Sequence, residues 1–241
     1  VAQNLRAIGA GADAVGGVIL LMDGDLESLP AGARDAYLRD RQYQRLIAEL
    51  EHWLDPQEGD PWPRHLEHFG ASLACTPQIY AKAGGLPPVM PLEDVAFVDA
   101  LRRVGARLRH DPAVIVRTSA RLDGRAEVGL SGQLRIWQER SESGEPHLVR
   151  SCDWLVHRFE CLGRLRRLCL TEDTAALAAL PASWHSRLIS ARGKGLAVGE
   201  FLRTIDSEQL IDETFRGEVD ALITSTIKDL EMALKRVRPL A

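Results

Sequence analysis

Several things are missing from this chain, and each absence removes a class of function. No apolar run approaches the roughly 18–20 residues that cross a bilayer; the longest, 14–22, is strand-sized. There is no basic surplus. The formal net charge is −4, which leaves no electrostatic ground for a nucleic-acid partner. The four cysteines, Cys75, Cys152, Cys161 and Cys169, make no CxxC pair, so zinc-ribbon and thioredoxin-type sites are out. Reduced, mostly buried thiols in a cytoplasmic protein are expected instead. Val1 opens no signal-peptide pattern, although the chain does not begin with Met. Ser72 lacks the GxSxG elbow of a nucleophilic hydrolase. The glycine-rich 193–199 (GKGLAVG) lacks Walker spacing and a preceding strand, and reads as a turn. No internal repeat or low-complexity tract occurs.

What is present is apolar content of 45% over 241 residues, enough for one large domain or two small ones with a real core. The first residues read as the end of a helix stopped at Gly9 and Gly11. Residues 15–22 (VGGVILLM) read as a buried strand. Pro30 opens a helix to about Leu54, with Tyr37, Tyr43, Leu46, Ile47, Leu50 and Trp53 at helical spacing. Residues 55–64 (DPQEGDPWPR) must be loop. A short strand is expected over 68–75. Thr76-Pro77 then starts a helix that ends at Gly84-Gly85. The proline-rich 86–92 cannot be helical. A helix over 93–104 ends at Gly105, and 113–118 (AVIVRT) is a second buried strand. Beyond Leu130 the pattern predicts no strand. Helices are expected over 147–170, 171–180 and 218–237, with a linker at 142–145. The expectation is an α/β portion, 1–130, followed by a mostly helical region, 146–241.

The chemistry-bearing candidate is Glu93-Asp94, an acidic pair between the proline-rich loop and a helix. Adjacent carboxylates repel, but the free N–H groups and dipole of a helix start offset this. One carboxylate can cap the helix while the other faces a cleft as a general base toward a hydroxyl. The plainer alternative is an acidic first turn without a function.

The order of pieces around the pair adds weight. GASLAC at 70–75 is followed by a helix ending in GGLP, then a loop, Glu93-Asp94, an apolar helix ending RRVGA, a strand, and RTSARLDGR at 117–125. This order resembles the acceptor half of family 2 glycosyltransferases of the GT-A fold. GADAVGG at 11–17 resembles the strand that follows that family's metal-binding motif. The resemblance covers about 1–130. It implies a partial GT-A-like (Rossmann-like) α/β layer and transfer of a sugar from a nucleotide-sugar to a hydroxyl acceptor with inversion. Asp94 would be the base, and Glu93 would cap the helix or support the acceptor. Arg117, Arg121 and Arg125 would suit a diphosphate leaving group. Their alternative role is surface ion pairing.

The chain departs from the family pattern in one respect. The nucleotide-binding half, which ends in an Asp-x-Asp motif for Mg²⁺ or Mn²⁺, is not found. Asp23-Gly24-Asp25 follows a strand, as a metal site would. Only one strand precedes it, however, and it lies after the GADAVGG segment, so both aspartates are read as turn residues.

Trp62, His65 and His68 border the expected acceptor side, where they would stack on or hydrogen-bond a sugar; ordinary loop packing is the alternative. Small residues around Ser72 suggest close approach to a ligand or a neighbouring strand. The basic run 164–167 (RLRR) on an amphipathic helix suits either a membrane surface near lipid-linked acceptors or a solvated face. Two rival readings remain. One is a non-catalytic assembly module, homo-oligomerising through apolar faces such as that of 218–237. The other is a phosphoryl-transfer enzyme with metal at Asp23 and Asp25.

Overall fold

The structure is a computed structural model, and it describes residues 1–89, 91–124, 128–171, 180, 184–185, 202 and 209–239. The expected helix over 171–180 and the turn at 193–199 lie outside the described residues, apart from isolated positions.

A mixed three-stranded sheet organises the N-terminal portion. β1 (Ala14–Leu21) is central, parallel to β3 (Leu108–Thr118) and antiparallel to β2 (Leu73–Cys75). β1 is buried along nearly its whole length, which is why it reads as an unbroken apolar run rather than an alternating one. Gly17 is required by its neighbours. A Cβ there would lie 2.3 Å from Ser72 Oγ and 2.4 Å from a Val114 methyl.

Helices fill the connections. α1 (Ala2–Gly9) precedes β1, and α2 (Asp23–Ser28) and α3 (Ala31–Leu54) follow it. α4 (Pro77–Lys82) starts as expected, with the Thr76 hydroxyl accepting from Ile79 N at 3.2 Å. Gly84 and Gly85 end it at φ +85° and +81°. α5 (Glu93–Arg103) packs Phe97, Val98 and Leu101 against Ala14, Ile79 and Leu108.

α3 carries the largest core. Tyr43, Leu46, Ile47 and Leu50 lie on one helical face. That face packs on Leu155, Phe159, Leu162 and Leu165 of α7 (Cys152–Leu170). It also meets Ile223, Ile227, Leu230 and Leu234 of the last helix. Gly163 lets α7 close on the end of α3, since a Cβ there would lie 2.2 Å from the Leu54 carbonyl oxygen. Further up α3, Tyr37 meets Trp137 of α6 (Leu130–Ser143) edge-on at 6.5 Å.

Several expectations are corrected. The 68–75 strand shrinks to Leu73–Cys75, because Gly70–Ser72 forms a 3₁₀ turn. β3 starts five residues earlier than expected. A bulge absorbs Pro112, between the Gly17–Asp111 and Val18–Ile115 pairs. The C-terminal region does contain strands. β4 (Leu148–Arg150) pairs antiparallel with β5 (Asp220–Leu222). At three residues each they are too short to show a periodicity. α7 and the last helix, α9 (Ile223–Val237), therefore begin later than expected, with α8 (Gln209–Thr214) between them. The first half of the expected linker 142–145 is the end of α6, stopped by Gly144 at φ +74°. The apolar face of α9 is used inside the chain, against α3 and α7. Among the described residues no helix is long and apolar enough to cross a membrane.

Candidate functional site

The site is built where α5 begins against the loop that enters β2. Asp94 lies in the first turn of α5, partly buried. Its Oδ2 accepts from Gly70 N at 2.6 Å and its Oδ1 from Val95 N at 2.8 Å. Each oxygen keeps a further lone-pair direction. Of the two roles the resemblance implied for Glu93, capping the helix or supporting the acceptor, the first is corrected. The residue preceding the helix is Leu92, at φ +71°, and it makes no side-chain cap bond. Glu93 is already the first helical residue. There its charge faces the free N–H groups of the first turn without closing a capping bond.

Behind Gly70 stands a group that sequence reading missed. His68 Nδ1 lies 3.2 Å from His110 Nε2, and His110 Nδ1 lies 2.7 Å from Asp60 Oδ2. Asp60 also accepts from His110 N at 2.9 Å, Arg109 Nη1 at 3.0 Å and Arg64 Nη1 at 3.1 Å. Arg64 in turn pairs with Glu51 on α3. Asp60 and Arg64 are both nearly inaccessible to solvent. Burial alone would raise the Asp60 carboxyl. The hydrogen bond and charge of His110, then Arg64, outweigh it and hold Asp60 below its ordinary range. Burial, then the nearby Arg102 and His110 charges, pushes His68 down to about 3. Burial and His110 push His65 down to about 4. Both imidazoles are therefore neutral near pH 7.

His65 and His68 sit on a loop, outside any helix or strand. His65 Nδ1 accepts from Glu67 N at 3.0 Å, and its ring meets His110 edge-on at 5.6 Å. Trp62 stacks on His52 at 6.0 Å, not on the His68 side. Ser72 is buried against Gly17, so its small neighbours serve strand approach. The signal that could have exposed the missed group is His110-Asp111-Pro112. A histidine at the start of a buried strand, opposite an acidic residue in a proline-rich loop, has to find a polar partner.

Arg117 and Arg121 are not among the hydrogen-bond partners of Asp94. Arg117 donates to Asp23 Oδ1 at 2.7 Å, at the far end of β3. Arg121 is exposed, and Arg125 lies outside the described residues. Asp25 Oδ2 accepts from Ala120 N at 3.0 Å. Asp23 and Asp25 thus open the short helix α2 and tie it to the end of β3, rather than lying in a turn. The divalent metal that the resemblance implies finds no fit at Asp23 and Asp25. Both aspartates are engaged separately, and no cluster of three or more His, Cys, Asp or Glu suited to a metal occurs among the described residues. In the RLRR run, Arg166 grips Asp55 through two bonds at 2.7 and 2.8 Å, while Arg164 and Arg167 face solvent.

Compared with protein-family models, curated proteins and solved structures, the chain matches none.

Proposed function

We propose that this chain is the acceptor-side portion of a family 2-like, GT-A-type glycosyltransferase, with Asp94 as the general base that takes the proton of an acceptor hydroxyl. The observation that carries the reading is the Asp94 carboxylate. It stands at a helix start beside a loop, oriented by one backbone N–H on each oxygen and still able to accept. A base toward a hydroxyl needs an ionised carboxylate with a free lone pair in hydrogen-bond reach of its substrate. The ordered pieces from GASLAC to RTSARLDGR supply the family, and the α/β layer is of the expected class. Nucleotide-sugar and divalent metal would be held by parts of the enzyme outside the described residues.

The test is sugar transfer from UDP- and GDP-sugars by the full-length protein, with Mn²⁺ or Mg²⁺. Asp94→Asn is expected to lower turnover roughly 10²–10⁴-fold, the usual contribution of a general base, with donor affinity unchanged. Retained turnover sinks the assignment. Calorimetry of UDP and GDP on this chain alone is expected to show no micromolar binding.

A further inference from the structure

The Asp60–His110–His68 chain ends beside Asp94, and the general-base reading makes no use of it. It is anchored in the core, where Glu51 on α3 pairs with an Arg64 side chain that is 1% exposed. Arg64 and Arg109 both donate to Asp60, which keeps that carboxylate ionised. An ionised carboxylate only accepts, so His110 Nδ1, 2.7 Å away, carries a proton. The facing nitrogens of His110 and His68, 3.2 Å apart, then share one proton between them. Phe69 alone separates His68 from Gly70, and its ring stacks on His68 at 5.8 Å. Gly70 N is the donor to Asp94 Oδ2. An unbroken run of polar contacts and three residues of backbone therefore lead from α3 to the candidate base.

We propose that Asp60 and His110 are positioning residues: through His68 they fix the 68–70 backbone so that the Gly70 N–H holds the Asp94 carboxylate in one orientation. The inference deepens the general-base reading and rests on it for its catalytic meaning. The loop concerned has no strand ladder before Gly70; the Phe69 carbonyl accepts from Ser72 N at 2.9 Å in the 3₁₀ turn that follows, and side chains supply the fixed contacts upstream of it. His68 is a spacer in this arrangement, and Asp94 alone would touch substrate.

The experiment is NMR on the whole chain with ¹⁵N-labelled histidine and backbone amides. In the unaltered chain, a through-hydrogen-bond coupling is expected between His68 Nδ1 and His110 Nε2, with His110 Nδ1 protonated. His110→Ala is expected to speed exchange of the Gly70 amide roughly tenfold or more, the scale of one lost hydrogen bond. Asp94→Ala should do the same, and amides of α9 should not change in either variant. His110→Gln keeps a hydrogen-bonding amide near the Nε2 position and should recover most of the protection. A merely structural role would not give that rescue. Absence of the nitrogen coupling overturns the proposal, and this measurement needs no variant to fold. Gly70 exchange that responds to Asp94→Ala but not to His110→Ala overturns it too. If Gly70 responds as expected while Asp94→Asn still transfers sugar, the positioning chain stands and the general-base reading falls.

Discussion

Two clusters meet at the C-terminal end of α3, and opposite means hold them. On one face Leu46, Ile47 and Leu50 bury themselves against Phe159, Leu162 and Leu165 of α7 and Leu230 and Leu234 of α9. Beside them Glu51 takes Arg64, and Asp55, the residue after the helix, takes Arg166 of α7. The apolar cluster is non-directional and tolerates other apolar side chains of the right volume. The ionic one is directional. It gives the irregular loop 55–70 fixed partners for Asp60, Arg64 and Glu67 where no ladder exists. Helices stack by area, whereas the loop beside the Asp94 carboxylate is placed by named bonds.

The contrast is broken most severely by emptying either cluster. Phe159→Ala removes a fully buried ring from the apolar side and is expected to cost about 3–5 kcal/mol in urea unfolding. Asp60→Ala leaves Arg64, Arg109 and His110 without their shared acceptor. It is expected to cost a similar ~3–5 kcal/mol, because the buried His110 loses its acceptor and the buried Arg64 keeps only Glu51. The two differ in kind. The Asp60 variant should also loosen the Gly70 amide, and the Phe159 variant should not until it unfolds.

Acid sharpens the same comparison at a smaller scale. His65 and His68 have folded values of about 4 and about 3 against 6.5 for the free side chain. Between those limits the unfolded chain binds more protons, so stability falls as pH drops below about 6.5. The slope is up to about 1.4 kcal/mol per pH unit for each histidine. His68→Asn should remove one such increment from unfolding curves taken between about pH 6 and 4. Asp60 acts lower. Its contribution is present above 3.8 and is lost as pH falls through its depressed folded value. The apolar cluster holds no group of this kind, so Phe159→Ala should leave the slope unchanged. Smallest of all is Asp220→Asn, which removes an exposed pair with Arg150 and is expected to cost no more than ~1 kcal/mol. A larger loss there would mean that the β4–β5 ribbon depends on ionic contacts as the loop does.

Much of the frame was legible. β1, α3, α4 and α5 follow from an apolar run, a 3.6-residue stripe, Thr76-Pro77 and the glycines at 84, 85 and 105. What was missed is short or long-range. Three-residue strands carry no periodicity, and the bulge at Pro112 hides the first half of β3. Of the site, the placement of Asp94 at a helix start was legible, since proline, loop and apolar stripe mark it locally. Its clamp was not, because Gly70 lies 24 residues away in sequence. Nor was the pairing of His110 with Asp60, separated by 50 residues.

The sequence by itself determined which segments coil, which extend and where they stop. Those choices depend on backbone sterics, side-chain shape and the period of apolar residues, all local quantities. Tertiary structure alone decided that α7 and α9 close on α3, and that Asp60, His110 and His68 line up behind Asp94. Burial makes those alignments matter. A carboxylate or imidazole removed from water must find its partner, and only the folded chain brings that partner within 3 Å of Asp60.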